Sequence, residues 1–249
     1  MAARQLELRV CALYPEQMNI YADRGNILFL QRRCEWRGIG FSYRSAGPGE
    51  PVDAGAADLF YIGGGQDRDQ AMVAADLVAS KREDLAAAVE SGAVLLAVCG
   101  GYQLLGRSYQ VKAETLPGLG LVDLETVRKE GPRLIGNVAI EVDLGPGPRV
   151  LAGFENHGGR TYLGAGVPAL GRVLAGHGNN GADGLEGVRR HNLIGTYLHG
   201  PLLPKNAWLA DHLIALALGR RYGARPELAP LPDALEDAAH ASARAAAGV

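Results

Sequence analysis

Cys99 lies where a thiol could act as a nucleophile. It follows the apolar run 93–98, which is typical of a strand buried on both faces, and it precedes Gly100 and Gly101. A helical pattern begins at Tyr102, so the cysteine is predicted to occupy a sharp strand-to-helix turn. The N–H groups and dipole of that helix would favour a thiolate and could bind an oxyanion. An unreactive buried cysteine is the alternative, and the flanking glycines favour chemistry.

A thiolate nucleophile needs a base, and histidine is the residue type that most often serves. His199 follows the predicted strand 192–198 and precedes Gly200. Because the carboxyl ends of parallel strands meet at one edge of a sheet, His199 could reach Cys99 across a hundred residues of sequence. His157 is the rival base, and its neighbour Glu155 could form a structural pair with it.

The elements that must position these residues alternate along the first hundred residues. Strand and helix patterns follow one another, which predicts an α/β fold with a twisted, mostly parallel central sheet flanked by helices. Two glycine-rich turns, at 63–65 and 100–101, fall at strand ends, where ligands of such sheets bind. The predicted strands are 6–14, 40–44, 58–62 and 93–98, and the predicted helices are 24–38, 68–78 and one that starts at residue 80.

The second half of the chain consists mainly of strand patterns joined by short turns. The tail from Pro226 is first proline-rich and then alanine-rich, which is typical of a peripheral helix or a frayed end. We therefore predict a single domain over residues 1–225 and a separate tail over 226–249. The strands are predicted at 118–127, 134–142, 150–154, 172–175 and 192–198, and a helix is predicted at 207–218.

Composition narrows the possible functions. The 249 residues carry 25 basic and 27 acidic side chains, so no cationic surface for nucleic acid is implied. The start lacks a signal-peptide pattern, and no apolar run approaches the roughly 18–20 residues that span a membrane, so a cytoplasmic protein without membrane insertion is expected. Three cysteines without CxxC spacing argue against disulfides and a metal site. Glycine never precedes lysine, which excludes the GxxxxGK[ST] loop and indicates that this chain itself carries no ATP cofactor.

Several motifs resemble one enzyme family. The segment from Val98 to Gln103 resembles the nucleophile motif of class I glutamine amidotransferases, in the branch that includes cobyric acid synthase, and 63–67 matches that family's glycine turn. Three further segments, 19–26, 154–160 and 195–206, resemble the GatD family, the glutaminase subunits of lipid II isoglutaminyl synthase. The resemblance covers nearly the whole chain and weakens after about residue 226.

The resemblance implies a single class I glutamine amidotransferase domain and a reaction. Cys99 would attack the side-chain amide of glutamine, and the resulting thioester would be hydrolysed to glutamate. His199 would carry the proton to the departing ammonia. The resemblance also implies that the N–H groups of Gly100 and of Gly64 or Gly65 form an oxyanion hole. Arg133 would bind the α-carboxylate of glutamine.

One feature departs from most class I amidotransferases, in which the sequence His-x-Glu supplies an acid that orients the histidine. Here Gly200 and Pro201 follow His199, as is usual in the branch that this chain resembles, so the expected acid is absent. An imidazole without a carboxylate partner is less well oriented. We therefore expect the isolated subunit to be a poor glutaminase whose site is completed by a synthase partner.

The resemblance also implies the destination of the ammonia. It would pass to a Mur-ligase-like synthase subunit of the MurT type, which would bind ATP and Mg²⁺ and amidate the D-glutamate of the lipid II stem peptide. A glutaminase subunit serving another ATP-dependent amidating synthetase, similar to cobyric acid synthase, is the alternative. A non-catalytic binding module that kept the fold is a third possibility, which the intact Cys99 and His199 disfavour.

Overall fold

The computed structural model describes residues 5–20, 23–111 and 114–249. Fourteen strands and six α-helices are named here in chain order. The strands are β1 (Glu7–Leu13), β2 (Gly40–Ala46), β3 (Leu59–Ile62), β4 (Val94–Val98), β5 (Ser108–Val111), β6 (Glu114–Pro117), β7 (Leu124–Arg128), β8 (Leu134–Asp143), β9 (Pro148–His157), β10 (Gly159–Leu163), β11 (Gly171–Ala175), β12 (Leu185–Glu186), β13 (Val188–Arg190) and β14 (Leu193–Thr196). The helices are α1 (Arg24–Glu35), α2 (Asp67–Ser80), α3 (Arg82–Glu90), α4 (Gly100–Leu104), α5 (Ala207–Tyr222) and α6 (Ala234–Ala247).

A six-stranded sheet in the order β13-β14-β4-β3-β1-β2 forms the centre of the fold. Every neighbouring pair in it is parallel except β13 with β14. All residues of β3, β4 and β14 are buried, as expected for apolar strands covered on both faces. The predicted α/β fold with a mostly parallel central sheet is therefore confirmed.

Two smaller four-stranded sheets, β10-β7-β5-β6 and β12-β11-β8-β9, are built from strands between residues 108 and 186. The predicted strand 118–127 is wrong in its first half, because strand structure begins only at Leu124. Gly120 has a φ of 66°, in the left-handed region, and its N–H donates to the carbonyl of Gly106. Residues 118–123 therefore form an irregular segment that is hydrogen-bonded to the end of α4 and to the residues just after it.

The tail contains helix α6, which packs against β8, β9 and a short 3-10 helix at Leu203–Lys205. His240 Nδ1 lies 2.8 Å from the carbonyl oxygen of Lys205, and Asn137 Nδ2 donates to the carbonyl of Ala246 at 2.9 Å. These contacts attach the tail to β8 and to the chain just beyond His199. Within the described part of the chain, no helix combines the length and apolar character needed to span a membrane.

Candidate active site

Cys99 occupies the turn between β4 and α4, where its backbone is strained. Its φ of 51° is in the left-handed region that residues with a side chain rarely adopt. Its N–H donates to the carbonyl of Thr196 at 2.8 Å, and its carbonyl accepts from the N–H of Gln103 at 3.0 Å. A Cβ on Gly101 would lie 2.7 Å from the carbonyl oxygen of Ile62, so only glycine allows this close approach. The turn places the thiol at the carboxyl edge of the central sheet.

His199 reaches the same edge through β14. This strand pairs in parallel with β4, with Thr196 opposite Val98, so the residues beyond both strands come together. The His199 backbone also forms two hydrogen bonds with Phe154 of β9, at 2.8 and 3.3 Å. The imidazole is fully buried beside Cys99, as strand convergence predicts.

The surroundings of His199 favour its protonated form, the imidazolium. Burial disfavours the charged ring, but the charge of Cys99 and hydrogen bonds to Asp23 and Cys99 outweigh it and raise the pKa of His199 to about 10. The ring therefore keeps its proton at neutral pH when the thiolate is present.

Asp23 supplies the acid that the sequence lacks after His199. His199 Nδ1 lies 3.3 Å from Asp23 Oδ1, and both side chains are fully buried. The other carboxylate oxygen accepts the N–H of Gly64 at 2.8 Å. The expectation of an absent acid is therefore wrong, because the carboxylate comes from the start of α1 instead of the residues after the histidine. Asp23 lies within 19–26, a segment that carries the family resemblance. Because 176 residues separate it from His199, the sequence does not indicate that the two side chains meet.

In the glycine turn after β3, Gly64 has a different role from the one expected. The N–H of Gly64 is committed to Asp23, which corrects its predicted role as an oxyanion donor. A Cβ on Gly64 would lie 2.9 Å from His199 Cε1, so this glycine makes room for the imidazole. The backbone nitrogen of Gly65 lies 3.1 Å from where a Cβ on Gly100 would be. Gly65 and Gly100 are therefore the expected donors that the structure brings together.

The rival histidine, His157, forms part of the wall of the cavity that also contains Cys99. Its ring stacks on Tyr197 with centroids 3.5 Å apart, and its Nδ1 lies 2.9 Å from the carbonyl oxygen of Gly159. Burial lowers the pKa of His157, so the ring is neutral at neutral pH. Glu155 Oε2 lies 3.7 Å from its Nε2. These contacts give His157 a packing role, and His199 is the histidine that pairs with Cys99.

Arg133 is an exposed residue that lines the same cavity, which has a volume of about 40 Å³. Its Nε donates to Asn156 Oδ1 at 2.7 Å, and its Nη2 donates to the carbonyl oxygen of Asn156 at 2.8 Å. Asn156 thereby holds one edge of the guanidinium. The Nη1–Nη2 edge, on the other side of the guanidinium, could donate two parallel hydrogen bonds to a carboxylate.

Glu186 packs behind the site, where its carboxyl group accepts the N–H of Tyr197 at 2.7 Å and the hydroxyl of Thr196 at 3.1 Å. Burial raises the pKa of Glu186 from its ordinary value of 4.5 to about 8. The folded state therefore binds a proton that the unfolded chain releases, and this stabilisation is lost as the pH rises from about 4.5 through 8.

The variant Glu186→Gln stays neutral at every pH and can still accept the N–H of Tyr197. We expect its melting temperature to fall less than that of the wild type between about pH 5 and pH 8. Thermal unfolding across this range measures the effect. Glu141→Gln, at an exposed residue that pairs with Arg172, is the control and should keep the wild-type pH dependence. Parallel curves for wild type and Glu186→Gln would refute the buried-proton interpretation.

A buried Cys–His–Asp constellation at the carboxyl edge of a parallel sheet defines a cysteine-dependent enzyme of the α/β class. Residues 9–207 match the CobB/CobQ-like glutamine amidotransferase domain, and the chain belongs to this family. The resemblance found in the sequence motifs is thereby confirmed.

The chain is similar over most of its length to two curated proteins of one kind. It is 42% identical to lipid II isoglutaminyl synthase (glutamine-hydrolyzing) subunit GatD of Staphylococcus aureus, with 86% of each chain covered. It is 37% identical to the subunit of the same name in Streptococcus pneumoniae, over 92% of this chain and 87% of that one. It is also 31% identical to cobyric acid synthase of Pelotomaculum thermopropionicum, over 88% of this chain but 42% of that protein.

Solved structures support the fold. A structure of PurLQS from Thermotoga maritima matches with a TM-score of 0.58 at 19% identity, over 86% of this chain and 96% of that chain. The glutaminase domain of Trypanosoma brucei CTPS matches with a TM-score of 0.53 at 9% identity, over 89% of this chain and 96% of that chain. At these identities the matches concern the architecture alone.

Proposed function

We propose that this chain is the glutaminase subunit of a lipid II isoglutaminyl synthase. The observation that carries the glutaminase activity is the convergence of Cys99, His199 and Asp23 at one sheet edge. The similarity to two GatD subunits over most of the chain supports the particular complex. The same intact constellation argues against a non-catalytic binding module.

The geometry supports a thioester mechanism. The Cys99 thiolate attacks the side-chain amide carbon of glutamine, and the oxygen of the resulting tetrahedral intermediate accepts the N–H groups of Gly65 and Gly100. The imidazolium of His199 gives its proton to the amide nitrogen as the carbon–nitrogen bond breaks and ammonia leaves. Neutral His199 then takes a proton from water, which attacks the thioester, and glutamate is released with the thiolate restored. Asp23 stabilises the imidazolium throughout.

Arg133 is proposed to bind the α-carboxylate of glutamine, and its removal should act on binding. We expect Arg133→Ala to raise KM for glutamine roughly 10- to 100-fold, the loss of a charged hydrogen-bonded pair, with a smaller change in kcat. Asn156→Ala should raise KM less, because it frees the guanidinium without removing it. Steady-state glutamate production against glutamine concentration measures both.

Arg172→Ala is the matched control for Arg133, since Arg172 is an exposed arginine paired with Glu141. It should leave KM for glutamine unchanged. A wild-type KM in Arg133→Ala would show that another group binds the α-carboxylate.

The family names of the relatives imply a synthase subunit as partner. We propose that this partner is Mur-ligase-like, of the MurT type, that it binds ATP and Mg²⁺, and that it amidates the D-glutamate of the lipid II stem peptide. A cytoplasmic location follows from this proposal and stays a prediction. The alternative, a glutaminase subunit serving a cobyric acid synthase-like enzyme, draws on the more distant relatives.

Reconstitution separates these two assignments. The chain is purified from its native cells with whatever synthase accompanies it and is given [¹⁵N-amide]glutamine, ATP and Mg²⁺. Lipid II with a D-glutamate stem and a corrinoid carboxylate are then offered in separate reactions. The proposal predicts ¹⁵N in the stem peptide, detected by mass spectrometry, only when Cys99 is intact. Label in the corrinoid alone would favour the alternative.

A further inference from the structure

Gln70 is a buried residue of α2 that the glutaminase mechanism does not use. Its side chain is 4% exposed and lines the cavity beside Cys99. Its Nε2 donates to the carbonyl oxygen of Gly65 at 3.2 Å and lies 3.5 Å from Gln103 Oε1. The same nitrogen lies 2.1 Å from where a Cβ on Gly100 would be, so Gly100 leaves the space that the amide occupies.

These contacts connect two separate turns. Gly65 belongs to the turn after β3, whereas Gly100 and Gln103 belong to α4, after β4. A primary amide fits this place because one nitrogen carries two N–H groups and can donate in two directions. The N–H of Gly101 also donates to the carbonyl of Gly63 at 3.0 Å and joins the same two turns. Gln70 provides the link on the side that faces the cavity.

The spacing of these turns matters for the reaction. An oxyanion hole works when its donors lie about 2.7–3.1 Å from the position where the charge develops, and a preformed arrangement costs no reorganisation during the reaction. The two proposed donors are carried by different loops. If one loop moved relative to the other, the hydrogen bonds that stabilise the oxyanion in the transition state would therefore weaken. Glutamine could still bind at Arg133.

We propose that Gln70 is a positioning residue that holds the Gly65 turn against the nucleophile turn and so sets the geometry of the oxyanion hole. The proposal rests on the proposed glutaminase function. In this role Gln70 affects kcat, but it contributes neither to substrate binding nor to the ionisation of Cys99.

Two variants test the proposal. Gln70→Leu removes both hydrogen bonds at similar volume, and Gln70→Glu replaces the donor with an acceptor that repels the carbonyl of Gly65. We expect kcat for glutamine hydrolysis to fall roughly 10- to 100-fold in each, less than the loss of an oxyanion donor itself, with KM within about threefold of wild type. Gln31→Leu is the matched control for Gln70→Leu, because Gln31 lies on α1 and its amide donates to Glu35 at the protein surface. It should keep the wild-type kcat.

Alkylation of Cys99 by iodoacetamide is the second readout. This reaction needs the thiolate but no oxyanion hole, so the uncharged variant Gln70→Leu should react at the wild-type rate. A general disturbance of the site would slow alkylation and hydrolysis together in Gln70→Leu and would overturn the proposal. Wild-type kcat in either variant, or a raised KM with unchanged kcat, would also overturn it and leave the proposed function standing. Failure of the wild type to hydrolyse glutamine would instead defeat the proposed function itself.

Discussion

Cys99→Ala is expected to lower kcat for glutamine hydrolysis on the order of 10⁴-fold or more, the loss typical of a removed catalytic nucleophile. A thioester needs a thiol, and Cys99 is the one cysteine among the described residues that line the cavity. The measurement is glutamate formation by the subunit together with its synthase partner.

The other cysteines provide the control for this variant. Burial raises the pKa of the Cys11 thiol to about 11 and that of Cys34 to about 12, so neither is ionised at neutral pH. Cys11→Ala should keep the wild-type kcat. More than about one hundredth of wild-type activity in Cys99→Ala would contradict the assignment of the nucleophile.

Asp23→Asn is expected to lower kcat roughly 10²- to 10⁴-fold, in the range seen when the carboxylate that orients a catalytic histidine is replaced. The amide cannot stabilise the imidazolium as the carboxylate does, so the pKa of His199 falls from its raised value of about 10. Because the reactive ion pair exists only while the imidazolium keeps its proton, the alkaline limb of kcat/KM should move to lower pH. A pH profile of the variant beside the wild type measures the shift.

Asp237→Asn is the matched control, since Asp237 is an exposed residue of α6 and the substitution removes the same charge. It should reproduce the wild-type profile. A reduced kcat in Asp23→Asn with an unmoved alkaline limb would mean that Asp23 acts only through the N–H of Gly64.

The parts of the site that local sequence could predict are those built from one continuous segment. The run 93–98, the two glycines after Cys99 and the helical pattern at Tyr102 together indicate the nucleophile turn, and the structure has β4 and α4 there. His199 was predicted by a more general rule, that the ends of parallel strands converge.

The parts that could not be predicted depend on contacts between distant segments. Asp23 lies 176 residues from His199, and nothing in the spacing of either indicates that they meet. The hydrogen bond from the Gly64 N–H to Asp23 could not be predicted for the same reason. The expectation that the isolated subunit is a poor glutaminase was based on an absent acid, and Asp23 removes that reason. Comparing glutamine turnover with and without the synthase still tests that expectation.

Covalent labelling tests the central claim most directly. The protein is treated with the diazoketone analogue of glutamine, which alkylates a nucleophilic side chain in a glutamine-binding site. Its peptides are then examined by mass spectrometry. We predict one adduct, on the Cys99 peptide, that glutamine protects against, that is absent from Cys99→Ser and that forms far more slowly in His199→Ala. Labelling of Cys11 or Cys34, or labelling of Cys99 at the wild-type rate without His199, would contradict the account.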